Sequence, residues 1–273
     1  MKLKIAVVQF DIKQYCSEDN LVKAEKFIKL ASGKSNIIVF PEDFITGPIK
    51  FRQDLVDSDG KFKKHFQRLA KEYNIDIVTG SFLERDEKGI YNTTYYIDSK
   101  GVVKSRYRKV NLWHPERSYI KPGKEVPVFK TRYGKIGLII CWDLVFPEIF
   151  RKMLKQGVEI VICPSYWCVG DAGEFGIVQN KNSEVCLVNS LSSGRAFENE
   201  IIFVYCNAAG KMDLGKYKDT LIGRSQVSAP FKGVLNRFDH NKEGMFIQEI
   251  DTDILKGAEK VYKIRQDLKN RVV

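Results

Sequence analysis

Three residues of different chemistry stand where strand-like runs, two of them apolar, give out. Cys141 closes Lys135-Ile-Gly-Leu-Ile-Ile-Cys141, Glu42 closes Asn36-Ile-Ile-Val-Phe-Pro-Glu42, and Lys109 closes Val102-Val-Lys-Ser-Arg-Tyr-Arg-Lys109. Short apolar runs of this kind read as buried strands, and open α/β sheets bind ligands at the strands' carboxyl ends. A thiol, a carboxylate and an amine delivered to such ends form a catalytic set built around a nucleophilic sulfur. After Cys141, Trp142-Asp143 leads into Phe146-Pro-Glu-Ile-Phe-Arg151, where Pro147 suits the first turn of a helix. Such a sulfur, near backbone N–H groups and a helix's positive end, is expected to have its pKa lowered below the free value of about 8.5. Each residue taken alone has a plainer reading: a structural cysteine, a loop carboxylate, one surface cation beside Lys104, Arg106 and Arg108. If Arg106 and Arg108 share one strand face, Lys109 at the strand's end can turn to the other.

The elements that must position these residues alternate along the chain. Leu3–Phe10 reads as a strand, and Asn20–Ala31 as an amphipathic helix that Ser17 or Asp19 can cap. Lys61–Glu72 is a second amphipathic helix, with Phe62, Phe66, Leu69 and Ala70 on one face. Strands follow over Ile75–Leu83, Ile90–Ile97 and Val102–Arg108, joined by the turn formers Asp86-Glu-Lys-Gly89 and Asp98-Ser-Lys-Gly101. Two successive hairpins mean that the sheet is not purely parallel. The second half reads as a strand at Lys135–Ile140, a helix from Pro147 to about Gln156, and a strand at Val158–Cys163. A helix over Ser183–Asn199 then precedes strands at Ile201–Asn207, Ser225–Ser228 and Met245–Ile250. With no Pro/Gly/Ser-rich linker and no short-period repeat, residues 1–273 read as one mixed α/β domain.

Composition narrows the function. The chain is 44% hydrophobic and 29% charged, the balance of a globular enzyme. No stretch nears the ~20 apolar residues of a membrane span, and Met1–Phe10 is followed by no small-residue cleavage site. Six cysteines without a secretion signal point to reduced thiols and a cytoplasmic protein. Cys163 and Cys168 are too far apart for a Cys-x2-Cys knuckle, so no metal is expected. The formal charge of +11 invites a nucleic-acid reading. Its lysines are nonetheless spread along the chain with no clustered basic motif, which suits a solvated surface able to steer small anionic substrates.

Pro41-Glu42, Arg108-Lys109 and Cys141-Trp-Asp143 with Phe146-Pro-Glu148 resemble the signature blocks of the nitrilase, or carbon–nitrogen hydrolase, superfamily. The likeness continues in Gly194-Arg-Ala-Phe-Glu-Asn-Glu200, Ile201–Asn207 and Gly223-Arg-Ser-Gln-Val-Ser228, covering nearly the whole chain in order. It implies a four-layer α-β-β-α sandwich of two mixed sheets, usually paired into a homodimer. It also implies hydrolysis of a small non-peptide amide through a thioester, without a cofactor. Nitrile and N-carbamoyl hydrolysis use the same residues, and a non-catalytic interaction protein on this scaffold is the remaining alternative.

The resemblance assigns Cys141 as nucleophile, Glu42 as proton carrier and Lys109 as oxyanion stabiliser, helped by the Trp142 N–H. Glu116, in Trp113-His-Pro-Glu116, is implied as a second carboxylate that positions the lysine. Tyr166 and Trp167, with Trp142, are expected to wall the substrate pocket. Two departures from the family pattern weaken any transfer of specificity. Leu144-Val-Phe-Pro lacks an arginine that many amidase-type members carry, and Ala229 stands where many have aspartate.

Overall fold

The computed structural model describes residues 2–50 and 52–270. Its first half is β1 (Lys2–Gln9), α1 (Ser17–Ala31), β2 (Ile37–Val39), α2 (Lys61–Glu72), β3 (Asp76–Val78), β4 (Phe82–Asp86), β5 (Gly89–Ile97) and β6 (Val103–Arg108). Next come β7 (Val128–Thr131), β8 (Gly134–Leu138), α3 (Pro147–Lys155), β9 (Ile160–Ser165), α4 (Gly173–Gln179), α5 (Ser183–Glu198) and β10 (Ile202–Asn207). The chain continues through β11 (Lys211–Asp213), β12 (Lys218–Thr220), β13 (Gln226–Ala229), β14 (Gly233–Arg237), β15 (Gly244–Asp251), α6 (Asp253–Tyr262) and α7 (Ile264–Asn270).

Two mixed sheets result. In the first, β1, β2 and β3 run parallel, β15 joins antiparallel beside β1, and β5 pairs antiparallel with β3, β4 and β6. In the second, β8, β9 and β10 form the parallel centre, flanked by antiparallel β7 on one side and β13–β14 on the other. Parallel strands need covering on both faces, and the sequence provides it. Leu3, Ile5 and Val7 of β1 point into one core shared with Ile136 and Leu138 of β8 and Ile202 and Val204 of β10. The alternate residues Ala6 and Val8 face the other way, into a core with Ala24 and Ile28 of α1 and Phe66 and Leu69 of α2. Phe150 and Met153 of α3 and Val188 of α5 back the second sheet. The layers are therefore α-β-β-α.

One expected strand is divided. Ile75–Leu83 is β3 and the start of β4, separated by Gly80 at φ +60°. A Cβ there would stand 2.1 Å from the Pro41 carbonyl oxygen, so the chain must turn where the Glu42 loop passes close by. Among the described residues, no helix is long and apolar enough to cross a membrane.

Polar contacts tie the sheets together. The Cys206 thiol of β10 donates to the Val8 and Val39 carbonyls at 3.1 and 3.4 Å. The Glu42 N–H donates to the Ser165 carbonyl across the same interface at 3.2 Å.

Candidate active site

Glu42 follows β2 and Lys109 follows β6, both in the first sheet, whereas Cys141 follows β8 in the second. The strand ends converge. Lys109 Nζ lies 2.8 Å from Glu42 Oε1 and 2.8 Å from Glu116 Oε2, and the lysine is 2% exposed. The buried Asn92 amide of β5 donates to the same Glu42 oxygen at 2.8 Å, and the Tyr166 N–H donates to Glu42 Oε2 at 2.9 Å. The Trp113 N–H holds Glu116 Oε2 at 2.7 Å. The buried Cys141 thiol faces the same cavity as Glu42, Lys109 and Tyr166, close enough to feel the charge of Glu42 and of Lys109.

Cys141 itself has φ +47°, a left-handed conformation unusual for a side chain of this kind. It opens a short 3₁₀ turn over Cys141–Val145 before α3 begins at Pro147. Asp143 fixes that elbow. Its carboxylate accepts from the Ile140 N–H at 3.0 Å, the Tyr107 hydroxyl at 2.6 Å, and the Asn111 N–H and Nδ2 at 2.8 and 2.9 Å. From α5, Arg195 donates to the Leu144 and Val145 carbonyls, both at 3.1 Å.

The electrostatics correct one expectation. Burial pushes the Cys141 thiol well above its ordinary pKa, and the Glu42 carboxylate adds to the rise, while Lys109 opposes it. The expected lowering fails because the sulfur is enclosed rather than seated at a solvated rim, and because the 3₁₀ turn separates it from α3. This environment favours the protonated thiol, for which Glu42 is the neighbouring acceptor. Burial also raises Glu42 above the usual carboxylate range against the pull of Lys109. Burial disfavours the lysine's charge, but Glu116 and Glu42 outweigh it and hold its pKa well above the ordinary value.

A cavity of about 300 Å³ opens onto this cluster and is lined by all seven residues singled out from the sequence. Trp142 packs against Trp113 and Trp167 at ring-centroid distances of 4.4 and 5.7 Å. Trp167 is pinned by its indole N–H, which donates to the buried Glu184 of α5 at 2.6 Å. The cavity also brings in Asp43 and Asp171, which the sequence reading passed over. Asn92, Asp143, Glu184 and Arg195 escaped it as well. For Asp143 the available signal was a charged residue set between Trp142 and Leu144. His114 stacks on Trp113 and is exposed, outside the cluster.

A buried thiol beside a carboxylate and an ammonium can attack an electrophilic carbon, pass its proton to the carboxylate and meet positive charge at the developing oxyanion. The two-sheet sandwich is that of a class of hydrolases acting on carbon–nitrogen bonds. The sequence model of the family described as carbon-nitrogen hydrolase matches residues 4–258, and the chain belongs to that family, the nitrilase superfamily. It is 31% identical over 272 residues to a probable nitrilase of Schizosaccharomyces pombe, covering 96% of this chain and 93% of the other. It is 29% identical over 255 residues to 2-oxoglutaramate amidase of Bacillus subtilis, covering 92% of each. The fold matches the Saccharomyces cerevisiae member of branch 10 of the superfamily with a TM-score of 0.80, 25% identity, and coverage of 95% and 93%.

Proposed function

We propose that this protein, acting as one domain, hydrolyses the C–N bond of a small amide through a Cys141 thioester. The observation that carries this reading is the meeting of Glu42, Lys109 and Cys141 in one buried cluster, from strand ends of two different sheets.

In the first half-reaction, Glu42 takes the thiol proton as sulfur attacks the carbonyl carbon. Lys109, with the Trp142 N–H, stabilises the oxyanion. Glu116 holds the lysine from its other side. Collapse of the tetrahedral species breaks the C–N bond, and Glu42 returns the proton to the departing nitrogen, releasing ammonia and leaving a thioester. Water then attacks the thioester with Glu42 as base, and the carboxylic acid leaves as the proton returns to sulfur. Trp142, Tyr166 and Trp167 enclose the acyl group.

A nitrile would follow the same path through a thioimidate, a reading favoured by the S. pombe relative's name. The deciding experiment is ammonia release across small amides, nitriles and N-carbamoyl amines, with Cys141→Ala as the blank. Ammonia that vanishes in the variant supports the reading, and the active compounds identify the bond. Turnover that survives the substitution sinks it.

A further inference from the structure

The chain carries a formal charge of +11, yet its candidate active-site cavity is acidic. Four carboxylates line it, from Glu42, Asp43, Glu116 and Asp171, against two lysines, Lys50 and Lys109. Lys109 is already held between Glu42 and Glu116. Lys50 has contacts of its own, and among the other described lysines and arginines none forms an ion pair with Asp43 or Asp171.

Asp43 is the sharper case. It is 9% exposed, and its Oδ1 has no hydrogen-bond partner among the described residues. Its backbone is left-handed, at φ +51°, and the turn is stapled by the Thr46 and Gly47 N–H groups donating to its carbonyl, so the side chain stays at the cavity. A buried carboxyl oxygen without a partner is costly, and burial beside Glu42 and Glu116 raises the Asp43 pKa well above its ordinary value, a shift that a cation bound alongside would oppose. Asp171, which also lines the cavity, spends one oxygen on the Cys168 N–H at 2.8 Å. The remaining walls are aromatic, including Trp113, Trp142 and Tyr166. Acidic groups beside aromatic rings are the two elements that recognise an organic cation.

We infer that the substrate's tail, beyond the bond that Cys141 attacks, carries an alkylammonium group that Asp43 and Asp171 accept against the aromatic walls. This rests on the hydrolase reading for which end of the molecule reacts. It reverses the sequence expectation that the basic surface serves to attract anions. The positive charge lies on the outside, whereas the cavity selects the opposite sign.

All three tryptophans of the chain, Trp113, Trp142 and Trp167, line the cavity, so intrinsic fluorescence reports its occupancy. Wild-type protein is titrated with pentylammonium, pentanol and pentanoate. Pentylammonium is expected to bind about ten-fold or more tightly than pentanoate, with pentanol between them. Asp43→Asn and Asp171→Asn should each narrow that preference. Pentanoate binding as tightly as pentylammonium overturns the inference, as does a preference that survives in the double variant. The wild-type series decides the matter even if a variant does not fold.

Ammonia release from 5-aminopentanamide, pentanamide and glutaramate separates the two readings. Turnover of all three with no advantage for the cation removes the inference and leaves the hydrolase standing. A clear ammonium preference in fluorescence with no ammonia from any amide supports the cation site and removes the hydrolase reading.

Discussion

Tyr107 and Asp143 join the two sheets directly beneath the candidate active site, the phenol donating to the carboxylate at 2.6 Å. Tyr107 lies two residues before Lys109 on β6, and Asp143 two residues after Cys141. Their contact therefore sets the separation between the lysine and the nucleophile, with Asn111 bound to the same carboxylate.

Asp143→Asn should lose both order and activity. An amide keeps one acceptor oxygen and turns an NH₂ group toward donors, so at least one buried donor is left unpaired. A loss of about 1–3 kcal/mol in urea unfolding is expected. Turnover should fall with little change in KM, because geometry rather than substrate affinity is disturbed. Wild-type stability in the variant would show that the four hydrogen bonds are dispensable.

Lys109→Met removes the cation from between two buried carboxylates. The protein should lose roughly 3–5 kcal/mol as well as activity. Adding Glu42→Gln and Glu116→Gln should restore most of the stability and none of the turnover. A stable single variant measured by the same unfolding curve would mean that Glu42 and Glu116 do not depend on the lysine.

Cys141 should alkylate as a thiol with a raised pKa. Inactivation by iodoacetamide is expected to keep accelerating as pH climbs past the ordinary thiol value of 9.0, because burial and Glu42 oppose the thiolate. A rate that levels off near about pH 7 would reveal an activated thiolate instead and contradict this electrostatic picture.

Asp171 should make stability depend on pH. Burial raises its pKa from the ordinary 3.8 to about 7. A raised folded-state value means that the folded protein holds the proton more tightly than the unfolded chain. Its stabilising contribution is full below the unfolded value and is lost as pH rises through about 7. Asp171→Asn carries no charge to bury, so its thermal midpoint should gain on the wild type between these limits. Parallel melting curves across that range would exclude Asp171 as the source.

Much of the site was legible because strand-terminating residues announce themselves. Glu42 and Cys141 each end an apolar run and Lys109 ends an alternating one, and a run's end is local information. Helix α2 was equally plain, since Phe62, Phe66, Leu69 and Ala70 form a stripe at helical spacing and all are buried. Periodicity could not divide the strands between two sheets, because it records that Val7 and Ile162 are buried and not that one core holds both. The depth of Cys141 was hidden for the same reason. Its surroundings come from residues far along the chain, Glu42 and Tyr166 among them, and the sign of its pKa shift follows from that enclosure. Asn92 and Glu184 likewise gain meaning only from partners 50 and 17 positions away.

The division of the candidate site between two sheets governs when its residues can come together. Strands through β6 carry Glu42 and Lys109, and only later ones bring Cys141 and Tyr166. The first sheet is completed last of all, when β15 returns to pair with β1 over Lys2–Gln9. A nascent chain emerging from the ribosome thus displays a base and a cation without a nucleophile, and later a sulfur without its enclosure. The candidate site is therefore a long-range construction, whose members meet only when strands from both halves of the sequence have paired.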